Sequence, residues 1–191
     1  MKFRMRITGT TPLLMHNGRL SNPIDPVVLD IKKFTSKRKK TEEDHLAIAQ
    51  LEHAGGMYLD PDVGPYIPGD NIHATLVSGG KKHKLGKRVT ESVLITSDIN
   101  PIAYKGPRDA KGLWKDKNFV HMNSAKVGQA RVMRCRPIFR EWATEIEGIL
   151  DDSVMDESEL RLVAETAGTL CGTGDWRPKH GRFTSELVFG G

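Results

Sequence analysis

The side chains in this sequence that could do chemistry are mostly cations, and they come in clusters. Lys32, Lys33, Lys37, Arg38, Lys39 and Lys40 form one; Lys81, Lys82, Lys84, Lys87 and Arg88 a second; Lys126, Arg131, Arg134, Arg136 and Arg140 a third. A fourth set, Arg177, Lys179, His180 and Arg182, shares a glycine-containing segment with Trp176. Clustered ammonium and guanidinium groups suit a polyanion, which they hold by charge and by bidentate hydrogen bonds. Gly172, Gly174 and Gly181 let a backbone come close to a ligand, and the Trp176 ring offers a face to a base. The stretch from Glu141 to Glu165 is acidic apart from Arg161, so positive charge is segregated into the other parts of the chain. The alternative for the first three clusters is a solvated basic loop, and for the glycine-containing segment a turn linking helix to strand with Trp176 as a core plug.

Further candidates stand singly. Pro68-Gly69-Asp70 leads into a helix pattern with Asp70 as its N-cap, and free N–H groups at such a start can hold an anion beside Asn71 and His73. His16 could serve as a general base, and Asp25 or Asp30 as a carboxylate, though lone groups of this kind more often cap or face solvent. No Ser-His-Asp set, phosphate-loop lysine or paired metal motif supports another reaction. Cys135 and Cys171 lie far apart, which fits two reduced, buried cysteines better than a disulfide or a metal site. No metal or cofactor is expected.

Charge and length bound the rest. Lys and Arg number 29 against 24 Asp and Glu, a net charge of +5 over 191 residues, enough chain for one domain with a sizeable core. No apolar run approaches the roughly 20 residues that span a bilayer. Met1 to Ile7 alternates charged and apolar residues where a signal peptide would be continuously apolar, so the chain reads as cytoplasmic with no membrane partner.

Several elements must position these residues. Period-two alternation predicts a strand over Lys2–Thr8, with Leu13-Leu14-Met15 resuming it or packing as a turn. Asn17 to Lys40, holding Gly18, Pro23 and Pro26, reads as a long, partly mobile excursion. Thr41 to Ala54 reads as a helix capped by Thr41, with Leu46, Ala47, Gln50, Leu51 and Ala54 on its apolar face. Met57-Tyr58-Leu59 and Pro65-Tyr66-Ile67 are extended. A helix follows from Asn71 to Ser78, stopped by Gly79-Gly80. Val89 to Ser97 is a strand, Pro101 to Lys117 a loop, and Phe119 to Phe139 a projecting hairpin with Val132, Arg134 and Arg136 on one face. Trp142 to Leu150 is a strand, Asp156 to Leu170 a helix with an Asp156/Glu159 capping box, and Arg182 to Phe189 a final strand. This order predicts an α+β fold: an antiparallel sheet with helices on one face, preferably of the ferredoxin-like, split βαβ kind.

Three segments carry a resemblance. They are Met5-Arg6-Ile7-Thr8-Gly9-Thr10-Thr11-Pro12-Leu13-Leu14-Met15; Gly64-Pro65-Tyr66-Ile67-Pro68-Gly69-Asp70-Asn71-Ile72; and Gly172-Thr173-Gly174-Asp175-Trp176-Arg177-Pro178-Lys179-His180-Gly181-Arg182-Phe183. In order and rough spacing the set resembles the RAMP superfamily of CRISPR proteins, in particular its backbone-subunit branch. Asp175, Trp176 and the missing second glycine after Gly181 depart from that pattern and point to a divergent relative, such as a phage or mobile element carries.

The resemblance implies a single domain over 1–191, with a ferredoxin-like (RRM-like) palm. Insertions are expected at about 17–56 and 101–139, the latter thumb-like. It implies binding of single-stranded nucleic acid, RNA favoured over DNA, by backbone grip, with copies assembling as a homo-oligomer or filament. Lys37, Arg38, Lys39, Lys40, Asn71, His73, Lys81, Lys82, Lys126, Arg131, Arg134, Arg136, Trp176, Arg177, Lys179, His180 and Arg182 are the expected contacts. It leaves open an endoribonuclease using Asp25 or His16, and a module that caps or mimics a CRISPR-type assembly through the acidic face.

Overall fold

The computed structural model describes residues 1–190, and of Lys126, Val127 and Ala130 only the backbone. Strand β1 (Lys2–Gly9) buries Phe3, Met5 and Ile7 and exposes Lys2, Arg4 and Arg6, as its alternation predicts. Two residues of β2 (Leu13–Leu14) follow. The expected mobile excursion is instead largely helical. After a 3-10 turn (Gly18–Ser21) comes α1 (Pro26–Thr35), with Asp25 as its N-cap and Pro26 at its first position, where a missing N–H costs nothing. Helix α2 (Glu42–Gly55) starts at Thr41 in a complete capping box with Asp44. Its buried residues are Asp44, Ala49, Glu52, His53 and Gly55, not the predicted face; Leu46 and Ala54 are exposed.

β3 (Leu59–Asp60) and β4 (Gly64–Pro68) lead directly into α3 (Gly69–Lys82). This helix starts from Pro68 with no side-chain cap, so Asp70 lies in its first turn and is not its N-cap. Gly79 and Gly80 do not stop it. They are buried inside it, and a Cβ on Gly79 would stand 2.6 Å from Val163 O. The predicted strand from Val89 is α4 (Gly86–Ser92) followed by a short β5 (Val93–Ile95). The predicted loop after Pro101 holds α5 (Ala110–Lys115), capped by Asp109, with β6 (Ile99–Pro101) before it.

The hairpin is β7 (Val120–Val127) and β8 (Ala130–Phe139), paired from Val120↔Pro137 to Val127↔Ala130. β9 (Ala143–Leu150), α6 (Glu157–Thr166), a π-helical turn (Ala167–Cys171) and β10 (Phe183–Phe189) complete the fold. The Asp156/Glu159 capping box is formed.

The architecture is α+β. Four strands form one antiparallel sheet in the order β10-β1-β9-β5. One face packs Phe3, Met5, Ile7, Ile146 and Leu150 against Ile72 and Leu76 of α3 and Leu160, Val163 and Ala164 of α6 in a single core. Two smaller sheets, β2-β8-β7 and β3-β4-β6, flank it. Among the described residues no helix is long and apolar enough to cross a membrane.

Candidate functional site

The glycine-containing segment after the π-helical turn is zipped onto the stretch that follows β1. Thr10 N and Thr11 N donate to Arg182 O at 2.8 and 3.3 Å, Gly181 N to Pro12 O at 2.9 Å, and Asp175 N to Leu14 O at 2.8 Å. Arg182 N donates to Thr11 Oγ1 at 2.9 Å. This close approach requires glycine: φ is +81° at Gly174 and +74° at Gly181, and a Cβ on Gly181 would stand 1.7 Å from Thr173 O. Pairing of Leu13 and Leu14 with Phe139 and Ile138 joins the base of the hairpin to the same stretch.

These contacts bring the three segments around one cleft of about 160 Å³. Leu13, Met15 and His16 come from the first, Tyr66, Ile67, Pro68 and Asn71 from the second, and Thr173, Asp175 and Arg177 from the third, with Tyr58 alongside. A more open hollow of about 760 Å³ adjoins it and shares Gly174, Asp175 and Arg177. Asn71, Thr75, Ser78 and Lys82 recur at helical spacing along α3, so a single helix face walls both the cleft and the hollow. The result is a continuous track from His16 past Arg177 to Lys81 and Lys82.

The predicted contacts separate into two groups. Lys81, Lys82, Arg177 and Lys179 are exposed and, among the described residues, make no ion pair or side-chain hydrogen bond; the first three line the track. Arg38 and Lys39 are also exposed, in the α1–α2 connection. Other cations are already engaged. Arg136 is bonded to Asp175 (Nε to Oδ2, 2.6 Å) and Arg134 to Glu52 (Nη1 to Oε1, 2.6 Å). Lys37 pairs with Asp44 at 2.6 Å, and Lys40 donates to Lys37 O. Arg131 donates to Ser124 Oγ, and Arg182 Nε to Pro178 O. The expectation that Arg134 and Arg136 face phosphates gives way to a structural role: they tie the hairpin base to α2 and to the glycine loop. Lys126 lies at the hairpin tip, where its side chain is outside the described residues.

Trp176 is half-buried, not an open platform, and its ring meets His121 edge-on at 5.5 Å. His180 is buried, 5.8 Å from His121 ring to ring, with its Nδ1 unpartnered. Asn71 lines the cleft; His73, one residue round α3 from Ile72, does not. Asp25 is spent on capping: it accepts from Val27 N at 2.9 Å and from Arg19 at 3.0 and 3.1 Å, and the bonds from Arg19 hold its carboxyl below the usual range. Asp30 pairs with Lys33.

His16 stands at the cleft. Desolvation lowers its pKa, and the nearby Arg136 and Arg134 lower it further, against the opposing pull of Asp175 and Glu52. Cys135 is buried and its thiol is pushed up to about 12, chiefly by desolvation, so it is inert. Among the described residues no group of three His, Cys, Asp or Glu is placed to hold a metal ion.

The outer face of the four-stranded sheet is of another kind. Arg4 pairs with Glu147 at 3.2 Å, and Arg6 lies in register between Glu145 and Glu186. The other side chains of that face are Lys2, Thr8, Leu94, Ala143, Ile149, Thr184 and Val188, none aromatic. It is charge-balanced and offers no ring on which a base could stack.

Sequence reasoning singled out the segments but not Tyr58, Tyr66 and Thr173 as cleft walls, nor Asp175 as a strut. The tyrosines gave a signal in flanking the Asp60-Pro61 turn before Pro68-Gly69. Thr173 gave none beyond its place between two glycines. No family model and no curated protein matches the chain.

Proposed function

We propose that this protein binds single-stranded nucleic acid, RNA favoured over DNA, gripping the phosphate backbone along the α3 track and assembling as successive copies on one strand. The observation that carries the reading is the convergence of Arg177, Lys81 and Lys82, exposed and without ion-pair partners among the described residues, along one continuous groove. Strand order β10-β1-β9-β5 supports a ferredoxin-like palm, since β1, β5, β9 and β10 then follow the order fourth, first, third, second, with α3 and α6 as the two crossover helices. A palm with a projecting hairpin and a glycine loop is what the RAMP resemblance leads one to expect, and the preference for RNA rests on that resemblance alone. The aromatic-free outer sheet face favours backbone grip over a stacking platform.

One observation favours a second reading, a RAMP-type endoribonuclease: the His16 imidazole, a side chain suited to general-base work, lines the cleft. Size-exclusion chromatography with a labelled strand of about 40 nucleotides, enough for several sites of roughly 4–16 nucleotides each, tests the first reading. Co-elution in a complex larger than one chain supports it, and separate elution contradicts it. An intact strand after incubation, for wild type and His16→Ala alike, removes the second.

A further inference from the structure

We propose that the seam between β7 and the glycine loop is a proton-operated latch, closed while His121 and His180 are uncharged and opened when acidification charges them, so that the loop wall of the cleft is released. The latch is a property of the fold and does not depend on which ligand the cleft takes.

Contact is the first argument. His121 of β7 and His180 of the loop meet with ring centroids 5.8 Å apart, and the Trp176 ring closes the triangle at 5.5 Å from His121 and 6.2 Å from His180. Each imidazole has a buried nitrogen without a hydrogen-bond partner, Nε2 of His121 and Nδ1 of His180. A proton taken up at either nitrogen becomes a buried donor with no acceptor.

Charge is the second argument. From β8 comes Arg136, in register with His121, and Arg140 follows just past the strand. The loop adds Lys179 and Asp175, and the stretch after β1 adds the carbonyl of Pro12. Desolvation acts first on both imidazoles, and Lys179 disfavours a charge on each; His180, Arg140 and Arg136 also do so at His121. Pro12 O and Asp175 act the other way on His180. Asp175, however, already holds Arg136. A charged His180 competes with that arginine for the carboxylate, so protonation also loosens the tie between hairpin and loop.

The loop conformation is the third argument. Trp176 has φ of +52°, a region that a non-glycine residue keeps only where its surroundings hold it. The flanking imidazoles supply part of that hold. None of the three residues belongs to the main core, so the seam can open while the palm stays folded.

Amide hydrogen exchange tests this, read as protection factors corrected for the intrinsic rate at each pH. The reporters are Asp175 N–H and Gly181 N–H, bonded to Leu14 O and Pro12 O. Their protection is expected to be lower than that of the β1 and β9 amides at every pH. Between pH 6.5 and pH 5.5 it should fall by up to about tenfold for each proton taken up on opening. His121→Phe keeps a ring against Trp176 and cannot titrate; it should reduce that fall, and the double variant with His180→Asn should abolish it. Melting curves at pH 7.5 confirm that the variants fold, and the wild-type measurement stands without them. Protection in the wild-type loop that is unchanged on acidification overturns the latch. So does loop protection equal to that of the palm strands, which would mean that the seam opens only with global unfolding, and so does a pH dependence that survives in the double variant.

Discussion

The guanidinium of Arg136 and the carboxylate of Asp175 meet at 2.6 Å, and through this contact the base of the hairpin braces the glycine loop that walls the cleft. The two side chains are 10% and 24% exposed, so the pair is largely removed from solvent. Asp175 is held from a second direction, by its own N–H on Leu14 O. The cleft is thus braced by residues that a reading of charge alone would assign to the ligand.

Breaking that brace should be expensive. Arg136→Ala leaves a carboxylate half-enclosed without its partner, a change that costs about 3 kcal/mol where the survivor is buried. Urea denaturation should show a loss of that order. The double variant with Asp175→Asn should cost clearly less than the sum of the singles; additivity would mean that the two side chains do not interact.

Gly181→Ala should dismantle the cleft while leaving the palm folded. A Cβ there collides with Thr173 O and demands a positive φ from an L-residue. Strand affinity should fall while the far-ultraviolet circular dichroism spectrum stays that of wild type. Unchanged affinity would separate the loop from binding.

Gly79 offers a test of packing against propensity. Replacing a glycine in a helix interior with alanine ordinarily gains up to about 1 kcal/mol. Here the added methyl meets Val163 O at 2.6 Å and Ala167 Cβ at 2.7 Å, where α3 and α6 cross. Overpacking of about 1–3 kcal/mol should win, so Gly79→Ala is predicted to lower the melting temperature. A rise would mean that the two helices have room to part.

Stability should fall with acidification through the histidines. His16, His53, His121 and His180 are all held below the ordinary imidazole value of 6.5, in each case first by desolvation. Below pH 6.5 the unfolded chain takes up protons that the folded chain does not. Stability is therefore full above about 6.5 and is lost as pH drops from there toward the folded-state values. The melting temperature should be lower at pH 5.5 than at pH 7.5; an equal or higher value at pH 5.5 would contradict this.

Local signals in the sequence were reliable where the physics is local. The alternation of Lys2 to Thr8, the N-cap at Thr41 and the capping box at Asp156 are decided within a few residues, and they are read correctly. Proline and glycine misled where their position mattered more than their type. Pro26 opens α1 and does not break it, and Gly79-Gly80 allows helix contact and does not end α3. Val89 and Thr90 favour strand by themselves, yet they lie in α4, where Val89 is fully buried: packing overrides propensity. The site was half legible. Its three segments could be picked out, but which arginines were free could not, because Arg134 and Arg136 find their partners 82 and 39 residues away.

The most direct test of the central claim is the salt dependence of single-strand binding. For wild type, the logarithm of affinity should fall linearly with the logarithm of salt concentration, at about 0.7 per phosphate contacted. Replacing Arg177, Lys81 and Lys82 together with alanine should flatten that slope by about 2, three contacts' worth, and weaken binding at every salt concentration. An unchanged slope in the triple variant, or wild-type binding that ignores salt, would contradict the account.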